Sequence, residues 1–229
     1  MGVTILEHVP NEKAGTIRDF LFKEHIPFDE IRLFDGARLP DPSEVSALIV
    51  MGGPMNVYEE EKYPFLKEED LFIRVAVERK VPYLGVCLGS QLLAKALGAK
   101  VMKARGPELG WGEVELLPGA DGSALFKDFR DNALKVLQWH EDTFELPGGA
   151  SLLATNGIVT NQAFAYRDRA FGLQFHLEVD RPLLEDWFKK RPEFDDILAE
   201  YENYKPRLSG ITDRLYRNFF SLIGHKVII

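Results

Sequence analysis

Apolar positions along the chain come first in short β-branched runs and then in helical stripes. Val3–Leu6 is a short apolar run and reads as a strand. Ala14–His25 repeats Ile17, Phe20 and Leu21 at helical spacing, and Phe28–Leu33 returns to a strand pattern. Ala47–Met51 (ALIVM) has no polar face, which predicts a strand buried on both sides, stopped by Gly52-Gly53-Pro54. Phe65–Arg79 predicts a helix, Pro82–Val86 a strand, and Leu88–Leu97 a helix ended by Gly98. Short apolar strands alternating with helices imply a parallel sheet covered on both faces.

The middle of the chain has a different rhythm. Strands are predicted at Glu113–Leu117, Leu134–Trp139, Leu152–Ala154, Gln162–Tyr166 and Phe171–Phe175, with few helices between them. Part of the sheet is therefore expected to be antiparallel. From Arg181 the pattern is helical again, over Pro182–Lys189, Phe194–Tyr204 and Ile211–Leu222. With no repeat and no Gly/Ser-rich linker, residues 1–229 are expected to form one domain, its C-terminal helices starting at about Arg181.

Composition narrows the function classes. The 28 Lys+Arg against 36 Asp+Glu give a formal charge of -8, the wrong balance for tracking nucleic-acid phosphates or an anionic membrane. The N-terminal stretch lacks a basic region and a long apolar run, so no signal peptide is expected. Gly2 would suit acylation, but Leu6 stands where that signal needs Ser or Thr. A single cysteine excludes an internal disulfide and a multi-thiolate zinc site. The expected compartment is the cytoplasm.

That cysteine, Cys87, is the first candidate for chemistry. Gly85-Val86-Cys87-Leu88-Gly89 places it between a predicted strand and a predicted helix. A nucleophile on so sharp a turn needs neighbours without a Cβ. The helix start that follows offers backbone N–H groups and a positive dipole end, which favour thiolate over thiol. The plain alternative is a buried cysteine acting as a small hydrophobe.

A nucleophile needs a base. Of five histidines, His25 and His225 are expected in solvent, and His8 at the end of the first strand is harder to set aside. His176, in Gln174-Phe-His-Leu-Glu178, follows an apolar strand, and Glu178 shares its face in extended backbone. The carboxylate would then orient the imidazole. Alone, H-x-E also suits a surface pair or two metal ligands.

Taken together, these pieces resemble the class I (triad-type) glutamine amidotransferases, and within them free-standing proteins similar to the glutaminase domain of GMP synthase. The motifs run in order: Met51-Gly-Gly-Pro54, Gly85-Val-Cys-Leu-Gly-Ser-Gln91, Trp139-His-Glu-Asp142 and Gln174-Phe-His-Leu-Glu178. The resemblance implies a three-layer α/β sandwich of flavodoxin-like type, with a mostly parallel central sheet and a C-terminal helical annex. It implies Cys87 as nucleophile, His176 as base, Glu178 as orienting acid, the backbone N–H groups of Gly53 and Leu88 as oxyanion hole, and Gln91, His140 and Glu141 at the substrate. Glu108-Leu-Gly-Trp111 looks like a subgroup signature; without the family it reads as a turn before a strand.

Two positions depart from the family pattern. Leu177 replaces the usual proline between histidine and glutamate, which removes a restraint on the His176 backbone. Glu141 replaces a usual glycine, where it either alters which γ-glutamyl compound fits or points to solvent.

The implied reaction is hydrolysis of the glutamine side-chain amide through a γ-glutamyl thioester, with no cofactor and no metal. No phosphate-binding loop is present, so an amidotransferase of this kind would deliver ammonia to a synthetase on a separate chain. A stand-alone γ-glutamyl amide or peptide hydrolase is the alternative. An exposed apolar patch beside the site would favour a partner, and a wider polar cleft a hydrolase. A redox-sensing or non-catalytic module is the minor reading, and the presence of both His176 and Glu178 argues against it.

Overall fold

A computed structural model describes residues 2–224. His225 lies outside the described residues. The strands are β1 (Gly2–Glu7), β2 (Phe28–Arg32), β3 (Val45–Val50), β4 (Tyr83–Val86), β5 (Val101–Leu116), β6 (Ala133–Phe144), β7 (Ala150–Thr155), β8 (Ala163–Tyr166) and β9 (Ala170–Leu173). The helices are α1 (Gly15–Lys23), α2 (Phe65–Glu78), α3 (Leu88–Ala96), α4 (Arg181–Phe188) and α5 (Phe194–Ser221).

All strands join one sheet, in the order β2-β1-β3-β4-β9-β8-β7-β5-β6. From β2 to β9 the neighbours run parallel. From β9 to β6 they run antiparallel. The sheet is mixed, and its parallel half is the part that positions the candidate chemistry.

Alternation along the central strands builds two cores. In β3, Ala47 and Ile49 face one side with Val3 and Ile5 of β1. Leu48 and Val50 face the other, where α2 and α3 supply Leu66, Phe72, Ile73, Leu92 and Leu93. With both faces covered, these strands are apolar almost throughout.

Two expectations are corrected. The C-terminal region is one helix, α5, running through Pro206 rather than two with a break. An interior proline costs a helix about 3 kcal/mol. Ile197, Tyr201, Leu208, Ile211, Leu215 and Phe219 all bury into one core along a single stripe, on both sides of that proline. Burial of several such side chains at about 1.5–3 kcal/mol each outweighs the cost. This helix belongs to the main core: Phe20 of α1 stacks on Phe220 with ring centroids 5.6 Å apart.

The second correction concerns β5 and β6. β5 begins at Val101, so Glu108–Trp111 is strand rather than turn, and β6 continues past Trp139 to Phe144. Their register pairs Glu108 with His140 and Leu109 with Trp139, after an irregularity between Lys103 and Glu108. Half-exposed residues, Pro107 and several glycines hide the two-residue period here; the partner strand supplies the order instead.

Candidate active site

Cys87 follows β4 and caps α3 with φ 51° and ψ -106°, a left-handed conformation that non-glycine residues rarely adopt. Such strain costs on the order of 1–3 kcal/mol and persists only where the surroundings hold it. Here the Cys87 N–H donates to Leu173 O at 2.8 Å, and Ser90 Oγ donates to Cys87 O at 2.7 Å. Both elbow glycines are required by space. A Cβ on Gly85 would sit 2.4 Å from the Gly89 carbonyl group, and one on Gly89 would sit 2.1 Å from Val50 O.

His176 arrives from the neighbouring parallel strand. β4 and β9 pair with Val86 opposite Leu173, so both chains leave the sheet at the same edge. This is where an open parallel sheet offers its side chains to a ligand. The His176 backbone is clamped to Leu137 of β6, donating at 2.8 Å and accepting at 3.1 Å. Trp187 meets its ring edge-on, centroids 5.0 Å apart.

The imidazole Nδ1 lies 2.7 Å from Glu178 Oε1, and both residues are buried. Burial pulls the His176 pKa down, but the Glu178 charge and the bonds to Cys87 and Glu178 outweigh it and hold it well above the ordinary histidine value. With Nδ1–H given to Glu178, Nε2 is the atom left for the thiol. The Glu178 carbonyl accepts from Thr16 N at 2.9 Å, at the start of α1. Leu177 packs into the core. These contacts supply the restraint that a proline would otherwise give.

The cleft beside Cys87 and His176 is lined by Gly53, Leu88, Gln91, Trp139, His140, Glu141 and Trp187, among others. Gln91 donates from Nε2 to Gln174 Oε1 at 3.2 Å and to Asp142 O at 3.4 Å, which ties α3 to both flanking segments. Gln174 Nε2 lies 3.8 Å from the Cys87 sulfur. The His140 ring is used within the protein: Nδ1 meets Asp142 O at 3.0 Å, and Nε2 meets Gln138 Oε1 and Glu108 Oε2, each at 3.1 Å. What this stretch offers the cleft is therefore backbone and the faces of side chains. The Glu141 side chain is 72% exposed and pairs with Lys103 at 3.1 Å. Lys103 also reaches Asp142 Oδ1 at 3.1 Å, and these two carboxylates raise its pKa. A broader, open hollow between α1 and β2, lined by Phe22, Ile26 and Phe28, lies elsewhere.

Sequence reasoning missed three features. His8 is fully buried against Glu69 of α2. Glu12 lies so close over Gly52 that a Cβ there would be 2.4 Å from its Oε2. Burial raises the Glu12 pKa, against the lowering influence of His176 and His8. Gln174 joins Gln91 to the elbow. For Glu12 the available signal was position: a carboxylate in the loop leaving the carboxyl end of β1 stands at the edge where ligands bind. Nothing in the sequence pairs His8 with a residue 61 positions away. Among the described residues, no cluster of three or more His, Cys, Asp or Glu is placed to hold a metal ion. No described helix is long and apolar enough to cross a membrane.

One cleft of this α/β sheet thus holds an elbow cysteine and a histidine–carboxylate pair. Residues 25–185 match the family model described as Glutamine amidotransferase class-I, and the chain belongs to that family. It is 35% identical over 157 residues to a glutamine-hydrolyzing GMP synthase subunit of Saccharolobus solfataricus, spanning 68% of this chain and 73% of that protein. Among solved structures, a glutamine amidotransferase from Thermotoga maritima superposes with a TM-score of 0.87 at 36% identity, covering 96% of this chain and 98% of the other. A glutamine amidotransferase from Methylobacillus flagellatus gives 0.89 at 29% identity, covering 96% and 94%.

Proposed function

We propose that this protein hydrolyses the side-chain amide of glutamine with Cys87, His176 and Glu178. The observation that carries the reading is the 2.7 Å His176–Glu178 pair beside a cysteine held at φ 51° on a helix N-terminus. His176 Nε2 takes the thiol proton, and the sulfur attacks the amide carbon. The resulting oxyanion is held by the N–H groups of Leu88 and Gly53. Collapse breaks the C–N bond, His176 returns the proton to the departing nitrogen, and ammonia leaves. Water, deprotonated by the same histidine, then cleaves the γ-glutamyl thioester to glutamate and restores the thiol. The chemistry needs no metal or cofactor. Gln91 and the backbone at 140–142 line the acyl side of the cleft. Support for an external ammonia acceptor comes from the Saccharolobus relative, which is named as one subunit of a synthase.

The cleft rim supports a second reading. Asn11, Glu12, Asn56, Lys103, Glu141 and Asp142 make it polar and charged. Of the exposed large apolar side chains among the described residues, Phe22, Leu71, Val75, Leu146 and Ile158 lie away from its walls. Tyr58 stands at the rim, donating to Asp142 Oδ2 at 3.0 Å, and Leu109 pairs across the sheet with Trp139; these two are separate and form no continuous patch with the other five. Such a mouth suits a stand-alone hydrolase of γ-glutamyl amides or peptides, with the same thioester and a larger leaving amine.

Glutamate release from L-glutamine and from γ-glutamyl dipeptides, with and without Cys87→Ala, tests both. Cys87-dependent release is expected, falling by at least about 10⁴-fold in the variant. Release that persists in Cys87→Ala refutes the mechanism, and the preferred substrate separates the two readings.

A further inference from the structure

We infer that the buried His8–Glu69 pair is a positioning device for the oxyanion hole: it grips the Gly52 carbonyl and thereby aims the Gly53 N–H at the cleft. The inference rests on the proposed role of Cys87 and the Gly53 N–H.

The geometry is a single peptide unit. The Gly52 C=O and the Gly53 N–H belong to the same peptide, and no described peptide bond is cis. In a trans peptide the carbonyl and the N–H point in opposite directions. Fixing one fixes the other. His8 Nδ1 lies 2.8 Å from Gly52 O, so the ring is the donor on that side. The peptide borders the cleft: Gly53 lines it, and a Cβ built on Gly52 would lie 2.4 Å from Glu12 Oε2, 3.4 Å from His176 Cε1 and 3.6 Å from Cys87 Cβ. Among the described residues, the Gly53 N–H donates to no other protein group.

A Gly-Gly peptide needs such a grip. With no Cβ on either residue, rotation of the whole unit meets little steric resistance. The turned peptide would present a carbonyl oxygen, not an N–H, to the developing oxyanion. A Cβ would crowd neighbouring side chains at both positions, 2.4 Å from Glu12 Oε2 on Gly52 and 2.5 Å from Met55 Sδ on Gly53. With glycine at both positions, the restraint comes from outside the peptide.

The pair is built for that task. His8 Nε2 lies 3.0 and 3.1 Å from the two Glu69 carboxylate oxygens, and both residues are fully buried. Gly52 O accepts only. His8 Nδ1 faces this acceptor-only oxygen and Nε2 faces both carboxylate oxygens, so each ring nitrogen is placed to donate; a ring carrying both protons is an imidazolium, and its bond to Gly52 is charge-assisted. A buried ion pair is seldom the most stable filling for a core, and two apolar side chains often serve as well. Holding the peptide supplies a reason for its presence.

Two double variants isolate the donor. His8→Leu/Glu69→Leu and His8→Asn/Glu69→Leu both remove the ion pair, but the asparagine amide can still donate to Gly52 O from near the Nδ1 position. The leucine form is expected to show kcat on the order of 100–1000-fold below the asparagine form, the scale of one lost oxyanion donor, with KM within about 3-fold. Alkylation of Cys87 by iodoacetamide, which forms no oxyanion, should be equal in the two within about 3-fold. Equal kcat in both forms overturns the inference. Glutamine or γ-glutamyl hydrolysis that survives Cys87→Ala instead overturns the proposed function. A measurement on the unaltered protein stands apart from turnover and from variant folding: nitrogen-15 NMR of the His8 ring at about pH 7. Protons on both ring nitrogens are expected, and a ring protonated only at Nε2 overturns the inference, because Nδ1 could then not donate to Gly52.

Discussion

Replacing Glu178 by glutamine removes one charge and almost no volume, and the structure sets the size of the effect. Nδ1 and Oε1 are 2.7 Å apart, so the charge centres of imidazolium and carboxylate are about 4 Å apart. At an effective dielectric constant of about 20 that attraction is worth about 4 kcal/mol, or about three powers of ten in rate at about 1.36 kcal/mol each. A glutamine oxygen can still accept from Nδ1 and recover part of it. We therefore expect kcat to fall by about 10²–10³-fold in Glu178→Gln. The backbone should stay in place, because the Glu178 carbonyl is held independently by Thr16 N. The pH profile adds a second reading with a definite sign. Glu178 is one of the groups that hold the His176 pKa up against burial. Without its charge that pKa drops, so the alkaline limit of activity, where the imidazolium loses its proton, moves to lower pH. Coupled glutamate detection across about pH 6–10, with activities scaled to the folded fraction, reads both effects. A loss under about tenfold with an unmoved alkaline limb would refute the view that Glu178 orients and stabilises His176.

Gly89→Ala drives a Cβ to 2.1 Å from the carbonyl oxygen of Val50 in central strand β3, and that backbone is held by strands on both sides. The expected cost exceeds the ~1–3 kcal/mol of ordinary overpacking, read as a lower urea midpoint, whereas Gly112→Ala, whose Cβ would meet only Gln138 Cγ at 3.7 Å, should stay within about 1 kcal/mol. For Glu69→Gln the prediction concerns pH. Burial pushes the His8 pKa down, but the charge and hydrogen bond of Glu69 and the Gly52 carbonyl outweigh it, so the folded value lies above 6.5. A raised folded-state pKa stabilises fully below the unfolded value, and that stability is lost as pH rises through the folded one. The Tm gap between the native protein and Glu69→Gln should thus be widest near about pH 6 and narrow toward about pH 9; a gap constant in pH would show that His8 is not charged. Glu141→Gly removes an exposed pair with Lys103, worth under about 1 kcal/mol. Its substrate preference should match the native protein, and a change of about tenfold in preference would show that Glu141 reaches the substrate.

The sequence by itself determined the parts whose cause is local. Unbroken apolar runs mark β3 and β4 because strands covered on both faces have no side left to be polar. Gly85 and Gly89 reveal the elbow because a turn that tight excludes a Cβ on either flank, and the H-x-E spacing brings His176 and Glu178 together because extended backbone returns to the same face after two residues. Tertiary structure decided whatever depends on a distant partner. β5 is a long strand because β6 pairs with it, and α5 passes Pro206 without a break because one core claims its stripe on both sides. Glu12 settles over Gly52 because the parallel strands β1 and β3 end at a common edge, and His8 meets Glu69 because α2 packs across one face of the sheet. A pattern along one dimension records which face a residue takes. It does not record which remote group waits on that face, and in this protein those remote groups decide how the peptide opposite Cys87 is held.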